Sequence, residues 1–406
     1  MKLIRLFTAG NVDDGKSTLI GRLLLDSGAV STDIIQGLTK AQKEGKEINA
    51  IDLAFLTDGL RAERELGITI DVAYKYFSSS KNKFIIADTP GHWEYTRNMF
   101  TGASLCDVAI ILVDATVGIT EQTKRHSLIT TLVGVNNVVF AINKMDLKRY
   151  DQTVFDALVI ELKQLSRELN MTDPSILPIS ALSGENVVHK SNSLAWFKGP
   201  TLFDYLENNV SLKGEPSKKV RFQIQYLIND GQATAYAGRI EQGTIREGQV
   251  LLVSPQNQKI TVKKIINNRK IVNSSKEGNS IAIYVEQPIK LDRGTILSDL
   301  TYPPIIGSRF TAVVCWMSEI NSDFDKDYLI QIGAVNEQVK IVSIQQKHLK
   351  NKVNSVNLTL NDIATVAIES KQNIVFDTYS NSKSLGSFVF IDSTSFETTG
   401  AGIILG

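Results

Sequence analysis

A multidomain α/β-plus-β architecture is predicted for this chain of 406 residues: a doubly wound domain with a mostly parallel sheet over residues 1–212, then two small β-barrels over residues 220–303 and 304–406. Three observations predict it. Short apolar runs alternate with helical patterns up to residue 212. Lys213-Gly-Glu-Pro-Ser-Lys-Lys219 is a polar linker carrying Gly and Pro. Beyond it the helical periodicity gives way to short strands punctuated by turns.

In the first part, Leu3–Thr8, Lys83–Asp88, Val108–Asp114, Val138–Asn143 and Ile176–Ile179 read as buried strands, because each is almost wholly apolar and too short for a helix. Helical patterns cover Ser17–Leu25 and Val154–Glu168, and the three serines at 78–80 read as a hairpin turn. Asp88, Asn143 and Ser180 fall at the carboxyl ends of strands, where ligands bind in such sheets. After the linker, strand-like runs at Gly238–Ile240, Gly243–Gly248, Val250–Pro255, Ile281–Val285 and Arg293–Leu297 suggest the first barrel. Phe310–Trp316, Val356–Leu360 and Ser387–Asp392 suggest the second.

Lys plus Arg total 44 against 43 for Asp plus Glu, so there is no broad basic field of the kind that nonspecific nucleic-acid binding needs. Cys106 and Cys315 lie far apart in apolar surroundings, which argues against a disulfide framework or a metal site. The apolar run at Met1–Phe7 is too short for a signal peptide, and no stretch approaches the roughly 20 apolar residues that span a bilayer. A cytoplasmic protein with no membrane partner is expected.

Gly10, Asn11, Val12, Asp13, Asp14, Gly15, Lys16 and Ser17 spell G-x-x-x-x-G-K-[ST] between a strand and a helix that continues through Thr18. Backbone N–H groups of such a loop surround phosphates, Lys16 reaches the β- and γ-phosphates, and the Ser17 hydroxyl sits on Mg²⁺. In Asp88-Thr89-Pro90-Gly91, the aspartate holds Mg²⁺ through water and the glycine leaves room for an amide to meet the γ-phosphate. Thr69, in Gly67-Ile-Thr-Ile70, reads as the switch threonine that senses Mg²⁺ and γ-phosphate; taken alone it is an ordinary strand threonine. Asn143, Lys144, Met145 and Asp146 form Asn-Lys-x-Asp at a strand end: the aspartate accepts from guanine N1–H and the exocyclic amine, and Lys144 lays its stem along the base. Ser180, Ala181 and Leu182 offer a backbone N–H to guanine O6, although that tripeptide has little specificity alone. GTP with Mg²⁺ is the expected ligand, and the domain is a P-loop GTPase domain. His92 is placed to orient a water in line with the γ-phosphate, with a structural loop histidine as the alternative. His126, His189 and His348 lack ligand spacing and read as surface or packing residues. Arg61–Glu65 is a charged helix face beside the switch.

In this order the motifs, followed by two β segments, resemble the elongation-factor-like GTPases over the whole chain. Gly10–Leu24, Asp58–Tyr74 and Thr89–Met99 are similar to the large GTPase subunits of bacterial heterodimeric sulfate adenylyltransferases, the ATP sulfurylases of sulfate assimilation. Asp14 discriminates, since translation factors usually carry His there; Gly67–Tyr74 and Thr101–Ser104 point the same way, and Asn361–Ile363, Gly386–Asp392 and Thr399–Gly402 are similar to the family's last barrel. Trp93 and Glu94 depart from the family's common Glu-Gln pair, and Leu66 from a frequent Gln. The resemblance implies a subunit whose GTP hydrolysis drives a small catalytic partner, in a heterodimer or higher assembly, to make adenosine 5′-phosphosulfate from ATP and sulfate. No second phosphate loop occurs, which argues against a fused adenylylsulfate kinase.

Two other readings share the architecture. A translational GTPase delivering aminoacyl-tRNA is opposed by Asp14 and the near-neutral charge, and a regulatory switch that only binds leaves the sulfurylase-like stretches unexplained. Asp146→Asn is expected to turn nucleotide preference from GTP towards xanthosine triphosphate, whose exchanged donor pattern suits an amide. Competition binding measures it, and an unchanged preference for GTP would remove Asp146 from base reading.

Overall fold

Apolar runs without a polar face can be satisfied only inside a sheet covered on both sides. The computed structural model, which describes residues 1–29, 53, 73–89, 96–210, 219–229, 231, 234–287, 289–348 and 357–406, buries them in that way. The chain divides into two compact units, Met1–Lys213 and Gly214–Gly406.

In the first unit, β1 (Lys2–Ala9), β2 (Ala73–Ser78), β3 (Asn82–Asp88), β4 (Val108–Asp114), β5 (Asn137–Asn143) and β6 (Ser175–Pro178) form one sheet in the order β2-β3-β1-β4-β5-β6. All pairings are parallel except the β2–β3 hairpin, whose turn is closed by the Ser79 N–H on the Asn82 carbonyl at 2.9 Å. Every residue of β4 is buried. Because β1 pairs with β3 on one side and β4 on the other, the connections diverge at its carboxyl end and open a crevice there.

The described helices are α1 (Lys16–Asp26), α2 (Thr96–Ser104), α3 (Glu121–Leu132), α4 (Gln152–Glu168) and α5 (Leu202–Asn208). Phe155, Leu158, Leu162 and Leu165 recur at three- and four-residue intervals and give α4 one buried face. Side chains cap its start and that of α3: Asp151 accepts the Thr153 N–H, and Thr120 and Thr123 form a reciprocal capping box. Among the described residues no helix is long and apolar enough to cross a membrane.

In the second unit, the first β segment comprises β7 (Arg221–Asn229), β8 (Thr234–Gln242), β9 (Thr244–Arg246), β10 (Val250–Ser254), β11 (Gln258–Asn267), β12 (Lys270–Val272), β13 (Ser274–Lys276), β14 (Ser280–Val285) and β15 (Ile296–Ser298). The pairing of β10 with β11 closes β10-β15-β7-β8-β14-β11 into a six-stranded ring, with β12 appended and β9–β13 as a separate ribbon. A second closed barrel follows, β16 (Ile305–Trp316), β17 (Tyr328–Ile332), β18 (Val335–His348), β19 (Ile363–Phe376), β20 (Ser387–Asp392) and β21 (Thr398–Ile404), in the order β16-β19-β18-β17-β20-β21. Trp316, Tyr328 and Phe390 meet edge to face or tilted in its core, with centroids 5.6–6.1 Å apart. Both cysteines are buried, and neither is in a disulfide.

The strand expected at Val356–Leu360 is not one: the described residues 357–360 form an irregular segment before β19. Its backbone is satisfied locally. Leu358 donates to the Ser322 hydroxyl at 2.7 Å and accepts the Ser322 N–H at 2.9 Å, and the Asp362 carboxylate takes the Thr359 N–H. Alternating apolar residues there mark one buried side chain, Leu358, in place of a ladder.

The two barrels are joined by a buried ion pair. Arg221 of β7 donates to Asp377, just past β19, through Nε at 2.7 Å and Nη2 at 3.2 Å, while Nη1 reaches the Val220 and Tyr302 carbonyls. Arg221→Met strands the Asp377 charge in the interior and is expected to cost about 3–5 kcal/mol. Arg221→Met with Asp377→Leu is expected to lose much less, because no buried charge is left uncompensated. Urea unfolding of the three proteins measures the difference, and a double variant as unstable as the single one contradicts it.

Candidate functional site

The loop between β1 and α1 turns sharply around residues that few side chains tolerate. Gly10 and Gly15 hold φ of 153° and 93°, and Asp13 holds 67°. A Cβ at Gly15 would lie 2.5 Å from Asn143 Nδ2, so glycine is required there by both conformation and space. Gly15 caps α1 without a side-chain hydrogen bond, and the first turn carries no acidic residue. The helix therefore begins with backbone donors that a bound anion can satisfy.

Lys16 folds back into this loop, its ammonium donating to the Gly10 carbonyl at 3.2 Å and the Asn11 carbonyl at 2.8 Å. Burial lowers its pKa, while Asp88, Asp14 and Asp13 pull it back up. Asp14 is itself only 5% exposed and accepts the Asn11 N–H at 2.5 Å. Burial pushes its carboxyl up to about 6; the Asn11 N–H, Lys16 and Lys144 oppose the rise and Asp114 adds to it. Ser17 and Thr18 follow as half-buried residues, Val12 is half-buried and Asp13 exposed.

Asp88 ends β3 beside Thr8 of β1, whose hydroxyl donates to it at 3.3 Å, and the buried Thr89 hydroxyl donates back to the Thr8 carbonyl at 2.5 Å. Pro90, Gly91, His92 and Thr69 lie outside the described residues, as do Gly67, Ile70, Leu66, Trp93, Glu94 and the Arg61–Glu65 face.

On the opposite side of the crevice, Asn143 ends β5 and is 2% exposed. Its Nδ2 donates to the Asp14 carbonyl at 2.8 Å, and its Oδ1 accepts the Ala181 N–H at 2.9 Å, so one carboxamide ties the phosphate loop to the turn after β6. Met145 is buried and its N–H meets the Ile179 carbonyl at 3.3 Å, which sets the 3₁₀ turn Met145–Lys148 carrying the half-buried Asp146. Ser180 is buried and Leu182 is at the surface.

Two participants were missed by motif reasoning. Arg22 of α1 donates to the Ala181 and Leu182 carbonyls and pairs with Asp26 at 3.4 Å, fastening the Ser180–Leu182 turn to the helix after the phosphate loop. Nothing in the sequence marks it. Asp114, the last residue of β4, pairs with Lys144 Nζ at 2.7 Å. Burial favours its neutral form, but the hydrogen bonds from Lys144 and Thr116 outweigh that and hold its carboxyl below the usual range. Its signal was available: a charged residue closing an all-apolar strand, like Asp88. His126 of α3 is a core residue, 1% exposed, whose pKa is lowered to about 3 by burial and then by Lys16 and Arg125. His348 is half-buried against Thr365.

Residues 1–212 match the family model of the elongation factor Tu GTP binding domain, and residues 309–405 that of the GTP-eEF1A C-terminal domain-like family. The chain is similar along its length to proteins named sulfate adenylyltransferase subunit 1. It is 40% identical to that of Colwellia psychrerythraea, covering 99% of this chain and 88% of the relative. For Shewanella woodyi the figures are 40%, 99% and 87%. For Bacteroides thetaiotaomicron they are 39%, 99% and 86%.

The environment of Asp14 has a pH consequence. Its folded pKa, about 6, lies above the ordinary 3.8, so the folded state binds the extra proton. Its contribution to stability is fully present below the ordinary pKa and is lost as pH rises through about 6. The loss approaches about 3 kcal/mol as an upper bound. Asp14→Asn is expected to abolish that fall between pH 4 and 6 and to be the more stable protein at pH 7. Denaturant midpoints across this window, wild type against variant, check it; parallel curves would contradict it.

Proposed function

The chain belongs to the sulfate adenylyltransferase subunit 1 family, with an elongation-factor-type GTP-binding domain, and from that we propose that it is the GTP-hydrolysing subunit of a sulfate adenylyltransferase. Its hydrolysis of GTP drives synthesis of adenosine 5′-phosphosulfate from ATP and sulfate on a small catalytic partner, in the cytoplasm. The observation that carries the nucleotide reading is the Asn143 carboxamide, which joins the phosphate loop at Asp14 to the turn at Ala181 in one buried network. In this reading phosphate and base are held by a single construction.

In this reading the remaining N–H groups of the phosphate loop and of the start of α1, with the Lys16 ammonium, hold the phosphates, and Asp146 accepts from the guanine edge while a backbone N–H of the Ser180–Leu182 turn faces O6. Mg²⁺ fits the donor set of the Ser17 hydroxyl and the Asp88 carboxylate, with Thr69 as a third ligand, and would neutralise charge on the β- and γ-phosphates when bound. Lys16, Thr69 and His92 are the catalytic residues, His92 orienting the attacking water and Lys16 stabilising charge on the transferred phosphoryl group.

Sulfate activation as the purpose rests on the near-full-length likeness to the subunit 1 proteins and on Asp14. The anhydride between sulfate and phosphate is unfavourable to form. A nucleotide switch can drive it only if its GTP and GDP states interact differently with the partner.

The test is GTP turnover by the purified chain, alone and with its small subunit, with and without ATP plus sulfate. Turnover is expected to rise at least about tenfold with partner and both substrates together, equivalent to a barrier lower by about 1.4 kcal/mol. Turnover indifferent to all three but stimulated by charged tRNA would replace this reading with the translational one.

A further inference from the structure

Asp114 belongs to none of the nucleotide motifs, yet it holds one of their members. It ends β4 in register with Asn143 at the end of β5, and the Ala115 N–H on the Asn143 carbonyl at 2.9 Å locks the two strand ends together. One carboxylate oxygen accepts the Thr116 N–H at 2.7 Å and the Thr116 hydroxyl at 2.6 Å. The other faces Lys144 Nζ at 2.7 Å. Lys144 holds the left-handed backbone, φ 60°, which an L residue adopts only where its surroundings impose it.

We propose that Asp114 is a positioning residue of the base site: by anchoring the Lys144 ammonium it confines the lysine's methylenes into a fixed wall for the face of the guanine. The inference rests on the GTP reading above. A lysine stem free at its tip samples many rotamers, and ordering it on each binding event weakens affinity. With Asp114 already buried and saturated by Thr116, the stem is ordered before the nucleotide arrives. Contact with a ring face also separates this role from that of Asp146, which reads the edge. Loss of the wall weakens every purine nucleotide in proportion, whereas loss of the edge reader changes the ratio between them.

The experiment is equilibrium binding of GTP, GDP, ITP and ATP to the full chain and to three variants. Asp114→Asn keeps an oxygen for Thr116 but removes the charge that holds Lys144. It is expected to raise Kd for GTP, GDP and ITP alike by about three- to five-fold, as fits a partly exposed ion pair. The GTP-to-ITP ratio should stay fixed. Lys144→Met should show its own loss, and Asp114→Asn added to Lys144→Met should cause none beyond it, because Asp114 acts only through the lysine. A purely structural Asp114 would lower affinity equally in both backgrounds, which overturns the proposal, as does an Asp114→Asn protein that binds like wild type. Wild-type protein that failed to prefer GTP over ATP would overturn the base-site reading and the proposal with it. GTP-selective wild type with an indifferent Asp114→Asn would overturn the proposal alone.

Discussion

A single buried carboxamide holds the site together. Asn143 is the donor to the Asp14 carbonyl and the acceptor for the Ala181 N–H, and its bulk claims the space that any side chain at Gly15 would need. Three loops, after β1, β5 and β6, thus share one residue. Were it replaced by an apolar side chain, a buried carbonyl and a buried N–H would lose partners together, each at about 1–3 kcal/mol. The geometry of phosphate loop, base-reading turn and final loop would loosen at once, which is why no one motif can be understood apart from the other two.

Around that amide the charges are in tension. Lys16 is buried against carbonyl oxygens, and burial presses on it and on Asp14 in opposite directions, lowering one pKa and raising the other. Asp114 pairs with Lys144 and adds to the rise on Asp14, which Lys144 opposes. A polyanion at the start of α1, where the helix has no side-chain cap, suits both the buried ammonium and the uncapped backbone. The same physics accounts for Arg22, whose guanidinium meets carbonyls of the Ser180–Leu182 turn from the flank of α1. The second unit handles buried charge differently. Arg221–Asp377 and Lys347–Asp362 are both closed pairs, saturated by each other and by nearby carbonyls or N–H groups. They are suited to fixing structure. At the nucleotide site burial instead lowers the Lys16 pKa and raises that of Asp14, the kind of perturbation that clusters at functional sites.

Much of this was legible along the chain. Strands β3, β4 and β5 and helices α1 and α4 lie within one or two residues of their expected bounds, because period and burial are local properties that a run such as Val108–Asp114 cannot hide. The hairpin at Ser78–Ser80 was readable from its turn residues. Val356–Leu360 misled because alternation reports only which side chains are buried, and a segment pinned by Ser322 can bury Leu358 without joining a ladder. His126 reads in sequence as either a surface or a packing residue, and only the fold decides for the core, because Thr123 and Thr130, one turn away on α3, are polar yet buried with it.

The sequence by itself determined the order of the site's parts and the chemistry proposed for them: glycines where the loop must turn, Lys16 for phosphate and Asp146 for a guanine edge. These follow from residue type and short spacing, which a chain displays without folding. Only the tertiary structure decided that Asn143 meets Asp14 across 129 residues, that Arg22 meets Ala181 across 159, and that Asp114 meets Lys144. Such contacts depend on strand order and register, and a β-sheet brings together strand ends whose separation along the chain says nothing about their distance in space.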